Sequence, residues 1–324
     1  DEVASGGRSS ILGGSSNKAS ANWSTSVGGR ENTASGVYSF LGGGQGNSAS
    51  GSHSFLGGGY QGTSTGDSST TAGGYSNDAT SSYSTIGGGF SNTASSTSAT
   101  VGGGEICTAS GQRSTVAGGD QNTASGSRAA VGGGGQNTAS GLYSNISGGL
   151  SGSASGEYAT VSGGQSNIAS GQKSFVGGGK DNTATNEYAT IGGGDDNNAS
   201  GSKSTVAGGR ENEATGSESA VCGGYYNFAE GNQSFAGGGI GNKASSTGSV
   251  VCGGNTNEAK TNSYSAVVGG QNQDATGEYS FIGGGSSNTA SSSYSFVGGG
   301  ETNEAKTNSY ATVVGGKSND ATGQ

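Results

Sequence analysis

The chain has 324 residues, of which 73 are glycine and none proline or methionine; 27% are hydrophobic, 11% are charged, and the net charge is −9. Thirteen thinly spread Lys and Arg residues exclude the clustered cations of a nucleic-acid surface, and no apolar stretch approaches the ~20 residues of a membrane-spanning helix. Low hydrophobicity with abundant Gly and Ser would suit a disordered chain, but the residues recur at a fixed spacing, as in a repeat architecture.

Ala4 opens a register that returns at every fifteenth position to Ala259, then takes one longer step to Ala275, two ordinary steps to Ala305, and one longer step to Ala321. This gives 21 tandem repeats, nineteen of the ordinary length and two longer by a single residue, filling positions 1–324 as a single continuous repeat domain. Numbered from the alanine as column 1, the unit reads A-S-G-x-Y-S-[TF]-V-G-G-G-x-x-N-x. Two segments of each unit share one pattern: S-x-V-x-G in columns 6 to 10, and N-x-A-x-G from column 14 to column 3 of the next repeat. Alternation of small polar, apolar and glycine positions is the pattern of a strand with one buried face. Each repeat therefore reads as two short strands and two turns, and the chain as an all-β parallel β-solenoid of about 21 coils.

Taken along one coil, columns 1, 3, 6, 8, 10 and 14 form the expected buried set. That interior is thin: at roughly 25 cal/mol per Å² of apolar area, Ala and Val stabilise a coil weakly, and stacking of coils has to supply the rest. Column 14 carries an expected ladder of buried amides: Asn17, Asn32, Asn47, Asn77, Asn92, Asn122, Asn137, Asn167, Asn182, Asn197, Asn212, Asn227, Asn242, Asn257, Asn288, Asn303 and Asn319. Gly62, Cys107, Gly152 and Gln273 interrupt it. Glycine in columns 9 to 11 fits chain reversal, which often needs positive φ. The absence of proline fits strands that are paired on both edges. In the repeats beginning at Ala259 and Ala305, Thr-Asn-Ser replaces the Gly-x turn, so the extra residue should lengthen that turn without shifting strand register.

Columns 5, 7 and 9 are expected on one outward face. Columns 5 and 7 hold Trp23, Tyr38, Phe40, Phe55, Tyr83, Tyr143, Tyr158, Phe175, Tyr188, Phe235, Tyr264, Tyr279, Phe281, Tyr294, Phe296 and Tyr310, beside small residues in column 9. Such a stripe reads as a self-association surface; the plainer reading is a somewhat apolar sheet face. Columns 15 and 2 form the opposite face, with Thr-x-Ser at the same height in many coils, cleanest between Thr80 and Ser140. Regular hydroxyls suggest a monomeric ice-binding solenoid as the alternative, although Glu213, Lys243, Glu258 and Glu304 interrupt the array; ordinary strand-friendly surface residues would look the same.

The half-repeat A-x-G-x-x-S-x-[AV]-x-G, clear in "ASGVYSFLGG" (Ala34 to Gly43) and "ASGEYATVSGG" (Ala154 to Gly164), resembles the head repeats of trimeric autotransporter adhesins, the YadA-like head family. The resemblance covers essentially the whole chain. It implies a left-handed parallel β-roll, three chains around an axis, and an extracellular or cell-surface adhesive role, with a host or surface receptor as partner. The unit here is slightly longer than that family's, and no neck, stalk or anchor follows the repeats. The chain starts inside a repeat and stops at "ATGQ" inside another, which suggests either a fragment or molecules stacking end to end. A viral fibre shaft would read the same way.

No catalytic constellation is expected. His53 stands alone in a column of tyrosines. Cys222 and Cys252 share column 9 two coils apart, roughly 9.6 Å at strand spacing, beyond the ~7 Å Cα reach of a disulfide. Contacts between chains could bridge them, and free small residues are the expected state. The glycine turns lack the Lys-Ser/Thr and helix of a phosphate loop and the regular Asp of calcium-binding nonapeptides. The expectation is a non-enzymatic structural or adhesive fibre with no cofactor, whose partner is itself.

Overall fold

The computed structural model describes residues 2–322, and among these residues there are strands, bridges and turns but no helix. The chain forms two compact units, Asp1–Gly164 and Gln165–Gln324. Each is a parallel β-solenoid; together they contain about 21 coils, with two strands per coil and the coil length that the repeat predicts. Asp1, Gly323 and Gln324 lie outside the described residues, and with them the end of the last repeat.

Every strand is two residues long. One set, starting with β1 (Val3–Ala4), takes columns 15 and 1; the other, starting with β2 (Ser10–Ile11), takes columns 7 and 8. Each strand pairs in parallel with its copy one coil away. Thr33 and Ala34 stand against Ser48 and Ala49, and Phe40 and Leu41 against Phe55 and Leu56. We call these the alanine ladder and the valine ladder. In both, the second residue points inward: Ala34, Ala49, Leu41 and Leu56 are fully buried.

A third ladder escaped the sequence. The residues of column 12 bridge in parallel within each unit, from Ser15 through Arg30, Gln45 and Tyr60 in the first and from Gln165 through Lys180 and Asp195 in the second. Single bridges with no alternating pattern leave no periodic signal.

Turn geometry also departs from the expectation that left-handed backbone belongs to glycine. Columns 5 and 13 adopt φ near +50° to +62° in almost every coil, with Tyr38 at 60°, Glu31 at 59° and Ile106 at 52°. A non-glycine residue there costs roughly 1–2 kcal/mol. The conformation turns each N–H back toward the preceding coil, so Tyr38 N–H donates to the Asn22 carbonyl at 3.1 Å and Glu31 N–H to the Ser15 carbonyl at 2.9 Å. The glycines of column 11 do carry the expected positive φ, such as Gly44 at 87°. Those of column 3 do not, and are there for space: a Cβ on Gly36 would lie 1.9 Å from the Gly51 carbonyl oxygen.

The buried set is corrected at two columns. Columns 1, 6, 8 and 14 are buried away from the first and last coils; column 3 is buried at Gly36, Gly51 and Gly66 but half-buried at Ala21, Ser81 and Ser96 and exposed at Asn186, and the glycines of column 10, such as Gly43, Gly58 and Gly73, are only half-buried. They sit at the start of the turn, where the chain has already left the interior.

Both longer repeats keep register. Val251 pairs with Val267 and Ala259 with Ala275. The added residue is absorbed at Thr261 and Thr307, which take φ of 73° and 78°. Asn262 N–H closes the lengthened turn on the Lys260 carbonyl at 2.9 Å.

Candidate interaction faces

The asparagine column is a network between side chain and backbone. Asn32 Nδ2 donates to the Gly28 carbonyl at 2.9 Å and to the Gly44 carbonyl of the next coil at 2.8 Å. Its Oδ1 accepts the Asn47 N–H at 3.0 Å, and its own N–H donates to Asn17 Oδ1 at 3.0 Å. The arrangement recurs at Asn92, Asn137, Asn288 and Asn303, and at Asn122 except that its own N–H meets Cys107 in place of an amide oxygen. At Asn77 and Asn257 the amide nitrogen makes the same two carbonyl contacts, and Asn319 reaches the Gly315 carbonyl. Amide-to-amide contacts, the form a stacked ladder suggests, appear where Asn182, Asn197, Asn212, Asn227 and Asn242 each also donate to the Oδ1 of the preceding Asn, at 3.0–3.2 Å. The first of these acceptors is Asn167. Gln273 keeps the acceptor role, its Oε1 taking the Asn288 N–H at 3.1 Å. Cys107 is buried, and burial pushes its thiol above the usual range.

Columns 5 and 7 carry separate stacks. Column 5 lies at the turn preceding the valine ladder, and because its left-handed residues all launch their side chains alike, the rings pile up coil on coil. Tyr264, Tyr279, Tyr294 and Tyr310 stack at 5.1–5.2 Å between centroids. Tyr143 and Tyr158 stack at 4.9 Å, and Trp23, Tyr38 and His53 form a third run at 6.0 and 5.1 Å. Cations extend these runs: Arg8 lies 4.5 Å over Trp23, Arg128 5.0 Å over Tyr143, and Lys173 4.7 Å over Tyr188. In column 7, Phe40 stacks on Phe55 and Phe281 on Phe296, both at 5.4 Å. Among the described residues no ring stacks on Tyr83, Phe175 or Phe235, and no stack joins column 5 to column 7.

A further run, Tyr60, Tyr75 and Phe90 at 4.9–5.0 Å, occupies column 12, which sequence reasoning left unassigned. Its signal was present as three aromatic residues in successive repeats. These stacks consume ring faces within the chain, yet the edges stay open: Phe40, Phe55 and Phe296 remain 37–41% exposed.

In the second unit the outward positions of the valine ladder are apolar over six successive coils. Column 7 reads Ala220, Phe235, Val250, Ala266, Phe281 and Phe296, and column 9 reads Cys222, Gly237, Cys252, Val268, Gly283 and Gly298. Cys222 and Cys252 are free and exposed. The alanine ladder of the first unit presents the contrasting surface: Thr93, Thr108, Thr123 and Thr138 stand in register, with exposed Ser95, Ser110, Ser125 and Ser140 beside them.

A groove in the second unit is lined by Asp181, Asp196, Glu211, Glu213, Thr183 and Tyr226. Lys180 and Arg210 pair with Asp181 and Glu211 at 3.2 and 3.5 Å, so part of its acidity is already neutralised. Among the described residues no group of three or more His, Cys, Asp or Glu is placed to hold a metal ion. No helix among them is long and apolar enough to cross a membrane. No family model matches the chain, and no characterised protein is significantly similar to it.

Proposed function

We propose that the chain is a non-enzymatic structural or adhesive element of an extracellular or cell-surface assembly, and that it associates with copies of itself. The observation that carries this reading is the outward face of the valine ladder from Ala220 to Phe296, apolar for six coils, with ring edges standing beside small residues. Small residues let a second surface approach closely, and the rings then supply area to bury. The resemblance to adhesin head repeats agrees with it. Light scattering in reducing buffer tests it. A weight-average mass that rises above 30.8 kDa with concentration supports self-association. A mass fixed at the monomer value up to the solubility limit sinks it.

A second reading rests on the in-register Thr and Ser of the first unit. Parallel coils repeat those hydroxyls at ~4.8 Å, a regular array that could order water, which would make the chain an ice-binding solenoid. Thermal hysteresis with faceted ice crystals supports that reading, and its absence at high protein concentration removes it.

A further inference from the structure

The apolar face of the second unit carries two thiols, and their placement has a symmetry of its own. Cys222 and Cys252 occupy column 9 one coil before and one coil after Gly237. Both are exposed and unbonded, whereas Cys107 is buried. Two coils separate them by roughly 9.6 Å, too far for a bond within the chain, since bridged Cα atoms lie within ~7 Å.

A two-fold axis lying in the plane of the face, along the strands through Gly237, changes this. It lays a second, antiparallel copy on the first with Cys222 facing the other chain's Cys252, and Cys252 facing its Cys222. The same operation sets Gly237 on its own copy, where no side chain holds the backbones apart. It also sets Phe235 against the other chain's Phe235, two residues away along the strand. A parallel arrangement would instead bring like cysteines together.

Resting on the self-association reading above, we infer that this face pairs with a second copy of the chain about a two-fold axis at Gly237 and is locked by two reciprocal Cys222–Cys252 disulfides. The area shows why a lock is needed. About that axis the apolar run overlaps its own copy over only the three coils of Ala220, Phe235 and Val250, a length of about 15 Å at ~4.8 Å per coil. With a width of ~10 Å this overlap buries about 300 Å² over both chains, well below the ~1,200 Å² at the lower end of stable interfaces. The uncrosslinked face therefore gives a loose, concentration-dependent contact, and oxidation makes it lasting.

The oxidant is a small disulfide such as oxidised glutathione. One protein thiolate attacks it and releases one glutathione thiolate. The facing protein thiolate then attacks the mixed disulfide and releases the second. The two protons lost by the protein thiols end on the two glutathiones.

The test is oxidation of the reduced, full chain with excess oxidised glutathione, read by non-reducing electrophoresis and by mass spectrometry of the linked peptides. Wild type should give a covalent dimer joined by Cys222–Cys252 bonds. Cys222→Ser and Cys252→Ser should each lose dimer by about tenfold or more, because each bond needs one cysteine of each kind. An equimolar mixture of the two variants should recover a dimer with a single Cys222–Cys252 bond. Cys222–Cys222 or Cys252–Cys252 links, a Cys222–Cys252 bond within one chain, no dimer at all, or single variants that dimerise like wild type would each overturn the arrangement. Association in reducing buffer that yields no Cys222–Cys252 link on oxidation overturns the two-fold pairing alone. A constant monomer mass in that buffer removes the reading on which it rests.

Discussion

Asn92 illustrates how much one side chain does in a coil with so little apolar interior. Its Nδ2 satisfies the Gly88 and Gly104 carbonyls at 2.9 and 2.8 Å, and its Oδ1 takes the Cys107 N–H at 2.8 Å. Asn92→Ala leaves these groups buried without partners, each costing ~1–3 kcal/mol. The expected loss is about 3 kcal/mol, read as faster hydrogen exchange between Gly88 and Cys107. Gly62 offers the reverse experiment. Its N–H donates to Asn47 Oδ1 at 2.8 Å, but it has no amide for the next coil. A Cβ there meets only ordinary contacts, the nearest at 3.4 Å, so Gly62→Asn should raise stability by about 1 kcal/mol and shift the denaturation midpoint upward. The column was legible in the sequence because polar residues repeated at a buried position need partners. The identity of those partners was not, because the left-handed residue in column 13 aims the amide at glycine carbonyls, and Asp, Glu, Ser, Gln and Tyr all occupy that column.

At the scale of a single element, the turn after the valine ladder separates two glycines that look alike in sequence. Gly148 has open space where a Cβ would stand, whereas at Gly149 φ is 103° and a Cβ would lie 2.3 Å from the Gly164 carbonyl oxygen. Gly148→Ala should therefore be nearly silent. Gly149→Ala should disrupt the coil, lowering the melting transition of the first unit and weakening protection of its neighbours. The strands were legible because alternation marks them. The column 12 ladder and the left-handed corners were not, because their residues vary freely and only the backbone is held constant. The lengthened turn has its own electrostatic clasp. Lys260 bonds Glu258 at 2.6 Å and reaches Asp274 of the next coil at 3.4 Å. The Glu258 hydrogen bond, with Asp274 assisting, holds the ammonium above the ordinary lysine value of 10.5. A raised folded-state value means the clasp stabilises fully below pH 10.5 and fades as pH climbs through the folded value. The melting difference between wild type and Lys260→Met should therefore be constant from neutral pH to about pH 9 and shrink above 10.5.

For the whole molecule, the repeat made the fold class legible: a strand pattern returning at every fifteenth or sixteenth position has few ways to bury its alanines other than by coiling. Function was less legible, because the same backbone presents different chemistry in different coils. Phe281, Phe296 and Val268 face outward from the valine ladder, and Thr93, Thr108 and Thr123 from the alanine ladder. The two functional readings therefore live on different surfaces, and one pair of substitutions separates them. Phe281→Asp places a charge on the apolar face at the cost of one ring stack, worth ~0.5–1.5 kcal/mol, which a stack of many coils tolerates. If that face makes the contact, burying an unpaired carboxylate there opposes association. The concentration-dependent rise in mass should then disappear while the melting temperature falls only slightly. Thr108→Asp, on the half-exposed alanine-ladder face, should leave that rise intact. It breaks the hydroxyl row at its middle, so it should reduce thermal hysteresis if the array orders water. Loss of association in the first variant together with its retention in the second assigns the contact to the valine ladder; equal loss in both would mean that neither face is specific.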